Sequence, residues 1–211
     1  PSDLTITLRV KCPAGYQVSS LGRNALLEGD WFFNWPYPTS DIVVAAGPSL
    51  ETHTFDSEAN HVFFSSATFS PAAAAQMGED VLWTLDRFSG WFCPTRPGDF
   101  NLLASPRALG GGYARRGLVV LGGLNELDFL NQREAYLRYL AHEASHAWWW
   151  EADNGSWENW LNESFAEFSA LLALRERYGQ DTFERFLNSK QEKAAGLPPL
   201  DIMEGFYTPL D

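Results

Sequence analysis

The chain has 211 residues, enough for one large domain or two small ones, with 45% hydrophobic and 20% charged residues, ordinary values for a globular protein. A formal net charge of −12 and a pI near 4.7 argue against nucleic acid or an anionic membrane as partner. No apolar run reaches the ~18 residues of a transmembrane helix, and Cys12 and Cys93 stand far apart, outside any CxxC spacing. They make neither a thiolate metal site nor a disulfide framework, and their spacing leaves open whether they pair.

The chain enters a strand directly after Pro1-Ser2-Asp3, and no signal peptide is expected within its 211 residues. The expectation is a piece of a longer chain whose compartment is unknown from sequence. Leu4, Ile6, Leu8 and Val10 alternate with polar residues, the period of a half-buried strand. Asp30 to Pro38, dense in aromatic residues and broken by proline, reads as a packed loop. Residues 41–46, 61–69, 99–104 and 117–121 are further strand candidates, separated by Gly, Pro, Ser and Asp. Between them Ser70 and Pro71 open a helix in which Met77, Val81, Leu82, Leu85 and Phe88 recur at helical spacing up to Gly90. His53 and His61 match no ligand spacing and read as ordinary strand or loop residues.

From about residue 131 the pattern is helical. Asn131 with Glu134 resembles a capping box, and the helix it opens is expected to run to about Glu151. Residues 153–156 are a turn cluster, followed by a second helix from about Trp157 to Tyr178 and a third from near Asp181 to Gly196. Trp148, Trp149 and Trp150 are expected to pack the end of the first of these helices. A β-rich part to about residue 122 and a helical part from about 131 predict an α+β fold, not alternating βαβ units.

Residues 142–146 read His-Glu-Ala-Ser-His. On a helix, positions i and i+4 lie about 40° apart around the axis, so both imidazoles project from one face and can reach one Zn²⁺, with Glu143 beside them to act on a bound water. A short connection makes the second helix pack antiparallel to the first. Glu163 and His146 would then lie at matching depth, about two turns from the connection. His142, His146 and Glu163 form a His₂Glu set with an open fourth position, the pattern of a catalytic zinc site. Glu167, one turn beyond Glu163, is placed to accept a hydrogen bond from the free N–H of His142.

His-Glu-Ala-Ser-His followed by Trp160-Leu-Asn-Glu-Ser-Phe-Ala-Glu-Phe168 resembles the gluzincin zinc peptidases, most closely the aminopeptidase N-like family. The Asn162-Glu163 pair with Glu167 is similar to the Asn-Glu-x-x-x-Asp of thermolysin-like enzymes. The 16 residues between His146 and Glu163 are two fewer than is usual in those aminopeptidases. Gly111-Gly112-Tyr113-Ala114-Arg115-Arg116-Gly117-Leu118 falls where the family carries its substrate-binding strand.

The resemblance implies a thermolysin-like catalytic domain over residues 21–211. Residues 1–20 are the end of a preceding β-domain or the first strands of the core, and further domains of the same natural chain are expected. It also implies a Zn²⁺ cofactor, a peptide or protein substrate, and substrate binding at Gly111, Gly112, Tyr113, Ala114 and Arg115. The family's amine-binding Glu is Ala114 here and its Asn is Arg115, so standard aminopeptidase activity is expected to be weak or absent. The alternative is a catalytically weak or inactive module that binds peptide or protein. Counted from Glu163, the family's oxyanion-stabilising Tyr falls beyond Asp211; Tyr207 comes too early for it.

Overall fold

The computed structural model describes residues 4–39, 42–94, 98–105, 111–153, 155–156 and 158–197. Tyr207 lies outside the described residues. The chain divides into two compact units, Pro1–Arg133 and Glu134–Asp211.

In the first unit, β1 (Leu4–Val10), β3 (Arg23–Leu27) and β4 (Asp30–Thr39) form a three-stranded antiparallel sheet with β4 in the centre. The loop expected over Asp30 to Pro38 is therefore wrong. The strand signal was the burial alternation: Trp31, Phe33 and Trp35 are buried, whereas Asn34, between the last two, and Pro36, after them, are exposed. The prolines are tolerated because they fall where the β1–β4 register slips, past Ile6 opposite Trp35, and beyond the last β3 partner, Asn34. A missing N–H costs little at such an irregularity.

A two-stranded sheet pairs β2 (Gln17–Ser20) with β5 (Val44–Gly47). The main sheet has the order β6-β7-β8-β10-β9, built from β6 (Glu51–Asp56), β7 (His61–Ser66), β8 (Asp99–Ala104), β9 (Gly111–Arg115) and β10 (Leu118–Gly122). Its inner ladders, β7–β8 and β8–β10, are parallel, and the outer two are antiparallel. Parallel strands in mid-sheet are covered on both faces, and β8 is buried from Phe100 to Ala104.

The helix α1 (Pro71–Trp91) is capped by the Ser70 hydroxyl, which accepts from the Ala73 N–H at 3.3 Å, and it lies against β6 and β7. Gly78 permits this close approach, since a Cβ there would sit 2.0 Å from the Phe55 ring. At the β9–β10 turn Gly117 has φ +75°, and a Cβ would meet the buried Trp35 ring at 2.2 Å. Trp35 packs with Leu21 and Leu118, which joins the three-stranded sheet to the main one.

The short helix α2 (Glu126–Asn131) is capped by Asn125, whose side chain accepts from the Asp128 N–H at 2.8 Å. The expected start at Asn131 is thus the end of a helix, and α3 begins afresh at Arg133.

The helices of the second unit are α3 (Arg133–Ser145), whose first residue still belongs to the first unit, α4 (Asn159–Tyr178) and α5 (Gln180–Ala194). Buried Ala166, Ala170, Ala173 and Leu174 follow the helical i, i+4, i+7, i+8 spacing of one inward face of α4. Gly179, at φ +93°, is the only residue between α4 and α5, and its positive φ turns the chain within one residue. Among the described residues no helix is long and apolar enough to cross a membrane.

Candidate metal centre

His142 lies on the last turn of α3, whereas His146 falls just past its end. The helix expected to reach Glu151 stops at Ser145. Beyond it the chain tightens: the His146 N–H donates to Glu143 O at 3.3 Å and the Ala147 N–H to Ala144 O at 3.1 Å. Tertiary contacts take over from the helix at this point. His146 Nδ1 lies 2.9 Å from the Trp149 carbonyl oxygen, and the Trp149 indole N–H donates to Ser169 Oγ at 2.9 Å. Trp149 also stacks on Phe165, with ring centroids 5.0 Å apart. Asn162 then grips Ala152 by both backbone groups, donating to its carbonyl at 3.0 Å and accepting from its N–H at 3.2 Å.

The symmetric picture of two ligands equally far from a short connection therefore fails. Glu163 is the fifth residue of α4, and His146 already belongs to the connection. The ligand atoms converge all the same. His142 Nε2 is 3.3 Å and His146 Nε2 4.0 Å from Glu163 Oε2. The three ligand atoms all lie within 4.8 Å of one another, the one such group among the described residues. The two imidazoles stand edge to face, with centroids 5.1 Å apart.

Both Nδ1 atoms face acceptors, the Glu167 carboxylate for His142 at 3.0 Å and the Trp149 carbonyl for His146. In neutral imidazoles the Nδ1–H donates to these acceptors and the Nε2 lone pair is left facing inward. Two lone pairs and a carboxylate oxygen then lie within 4.8 Å of one another, an arrangement that a shared cation relieves. The donor set fits zinc: two imidazole nitrogens and one carboxylate oxygen.

Without a metal, a proton takes up part of that role. Burial favours neutral His142, but hydrogen bonds to Glu163 and Glu167 and the fields of Glu143 and Glu167 outweigh it and lift its pKa to about 9. His146 moves down, chiefly through burial. The hydrogen bond from His142 holds Glu163 below the usual carboxylate range, against the opposing effect of burial. Burial pushes Glu143 up, with the negative charge of Glu163 adding to the effect and His142 opposing it. A carboxylate so raised is a better proton acceptor than one in water.

Glu167 makes contacts that sequence reasoning did not foresee. Arg138 Nη1 donates to both carboxylate oxygens, at 2.9 and 2.8 Å, and Lys190 Nζ lies 3.5 Å from Oε1. Burial raises its pKa, but the His142 hydrogen bond and the two cations prevail and bring it down to about 2. Arg138 was discoverable, lying four residues before His142 on the same helical face. Lys190 arrives from α5, and no local pattern points to it.

The expected substrate-binding residues, and His53 and His61, lie in the first unit. Gly111, Gly112, Tyr113, Ala114 and Arg115 form β9, the edge strand, opposite Gly122, Leu121, Val120, Val119 and Leu118 of β10. Its outer backbone edge has no partner strand among the described residues. His53 and His61 lie on the β6–β7 hairpin, His53 3.7 Å from Glu51 and His61 2.6 Å from Asp56.

Comparison with solved structures places the fold. An M1 zinc metallopeptidase from Deinococcus radiodurans matches with a TM-score of 0.60 and 21% identity, over 93% of this chain and 46% of that one. Native leukotriene A4 hydrolase from Saccharomyces cerevisiae matches with a TM-score of 0.68 and 17% identity, over 90% of this chain and 30% of that one. At these identities the likeness is one of fold: α+β, as in the M1 zinc metallopeptidases. The chain spans less than half the length of either neighbour. No protein-family profile and no curated protein sequence matches it.

Proposed function

We propose that the chain is the catalytic part of a zinc-dependent peptidase of the aminopeptidase N-like gluzincin kind, with His142, His146 and Glu163 as zinc ligands and Glu143 as general base. The convergence of two Nε2 lone pairs and one Glu163 oxygen on a single point carries this reading. The M1 fold supports it.

Zinc held there supplies Lewis acidity and brings a water molecule close to ionisation at neutral pH. Glu143 would act as general base, taking a proton from the attacking water on its carboxylate and returning it to the amine that leaves as the C–N bond breaks. Burial equips Glu143 for the first half of this task by raising its proton affinity. Glu167 and the Trp149 carbonyl fix the tautomers of His142 and His146, and Asn162 fixes the segment that carries Trp149. The position of β9 at the edge of its sheet suits a peptide that adds as a further strand. With Ala114 where those aminopeptidases carry the amine-binding Glu, a free N-terminus lacks its charge partner. We assign the chain to peptide bonds not defined by a free N-terminus, and infer further domains in the natural protein.

Ala114 also favours a second reading, a gluzincin-fold module that binds peptide or protein with little or no turnover. The test is zinc analysis of the purified protein, followed by digestion of a mixed peptide library before and after chelation. One zinc per chain, with cleavage abolished by chelator and restored by zinc, establishes the peptidase. One zinc without cleavage leaves the binding module, and no zinc sinks the peptidase. Turnover of aminoacyl-anilides at or above that of their N-acetylated forms contradicts the inference from Ala114.

A further inference from the structure

The His142 ring lies between two carboxylates of the same helix, Glu163 at 3.3 Å from Nε2 and Glu167 at 3.0 Å from Nδ1. Hydrogen bonding alone does not tell these two acceptors apart. Exchanging them, by a turn of the imidazole or a change of either Glu rotamer, would send the wrong nitrogen to the metal. Charge separates them. Glu167 is gripped by Arg138 of α3 and Lys190 of α5, while no Arg or Lys ion pair reaches Glu163 among the described residues.

We propose that Arg138 and Lys190 are positioning residues of the metal centre: by clamping Glu167 they fix the His142 ring with Nε2 turned to the metal. The assignment rests on the zinc reading above. Arg138 engages both Glu167 oxygens through one nitrogen, and Lys190 engages Oε1 from a different helix. The carboxylate can then neither rotate nor withdraw without losing a charge-assisted hydrogen bond. Oε2 remains directed at His142 Nδ1. Glu167 is neutralised by protein cations and serves as a hydrogen-bond acceptor; Glu163, lacking them, is left to a metal ion.

The proposal makes a prediction whose sign distinguishes it from plain electrostatics. A cation that merely sits near a metal ion repels it, so its removal strengthens metal binding. A cation that orders a ligand's hydrogen-bond partner does the opposite, and losses of 10–100-fold in metal affinity are typical when such outer partners are removed.

The test measures Zn²⁺ affinity by competition with a chelating dye, on the full 211-residue chain, with circular dichroism to establish that each variant is folded. Arg138→Met is expected to weaken binding about 10-fold or more, Arg138→Lys to recover part of the loss, and Lys190→Met to weaken it by less, in keeping with its longer contact. Affinity in folded Arg138→Met equal to or above wild type overturns the assignment and leaves the zinc reading standing. Should Arg138→Met not fold, Lys190→Met decides the matter by the same criterion. A wild-type chain that binds no Zn²⁺ defeats the underlying zinc reading instead.

Discussion

His142 Nδ1 lies 3.0 Å from Glu167 Oε2, so that one residue on α4 governs which nitrogen of a residue on α3 is free. Arg138 meets Glu167 and His142 meets Glu163, so the contacts run in opposite senses along the two helices. Glu167→Ala removes the acceptor and is expected to weaken zinc binding about 10–100-fold. Glu167→Gln, which keeps an acceptor oxygen, should fall between Ala and wild type. Dye competition checks both, and wild-type affinity in Glu167→Ala would show that the ring is oriented by something else.

The metal-free protein should show a characteristic dependence on pH. The pKa of His142 is raised from 6.5 to about 9 on folding. Its contribution to stability is therefore complete below about pH 6.5 and is lost as pH rises through 9. Glu167 is shifted the other way, from 4.5 down to about 2; its contribution is present above about pH 4.5 and is lost as pH falls towards 2. Chelator-treated protein should melt at its highest temperature between these limits and lose stability from pH 6.5 to 9. Because zinc displaces the His142 proton, the rise in Tm on adding zinc should grow over that same range. A flat metal-free profile between pH 6.5 and 9 would contradict the tight His142–carboxylate geometry.

Asn162 closes a two-way bond with the Ala152 backbone and is 4% exposed. Asn162→Ala strands both Ala152 groups and should cost about 1–3 kcal/mol in chemical denaturation. It should also weaken zinc binding, because Ala152 follows closely on Trp149, whose carbonyl orients His146. A loss of stability with wild-type zinc affinity would confine Asn162 to a purely structural role.

Gly117→Ala tests the packing of the first unit. The new Cβ would sit 2.2 Å from the Trp35 ring at a residue with φ +75°, so steric overlap and backbone strain act together. The expected loss is about 2–5 kcal/mol, summing left-handed strain and overpacking. An unchanged denaturation midpoint would mean that Trp35 has room to move.

The legibility of this fold in its sequence followed the reach of each signal. His142, His146 and Glu163 stand out by spacing and residue type, and the three converge. The Ser70 cap and the following apolar period give α1 to within a residue of its end. Misreadings arose where long-range contacts overruled local pattern. β4 looked like a loop because of its prolines, which a register slip opposite β1 accommodates. α3 looked longer than it is because nothing local breaks it before Asp153. The chain leaves the helix when Trp149 finds Phe165 and Ser169 and Ala152 finds Asn162, all partners from α4. β2, β3 and β6 lack strong alternation of apolar residues, and β3 is exposed along its whole length. Its pairing with β4 defines it, not its side chains.

The central claim is a hydrolytic zinc centre worked by Glu143, and its most direct test is digestion of a mixed peptide library by zinc-loaded wild-type protein and by Glu143→Gln. The substitution keeps the shape of the side chain and removes its capacity to take a proton. Both proteins should hold one zinc, while cleavage falls about 10²–10⁴-fold in the variant, the usual worth of a general base. Equal cleavage by the two proteins, or none by zinc-loaded wild type, would contradict the account.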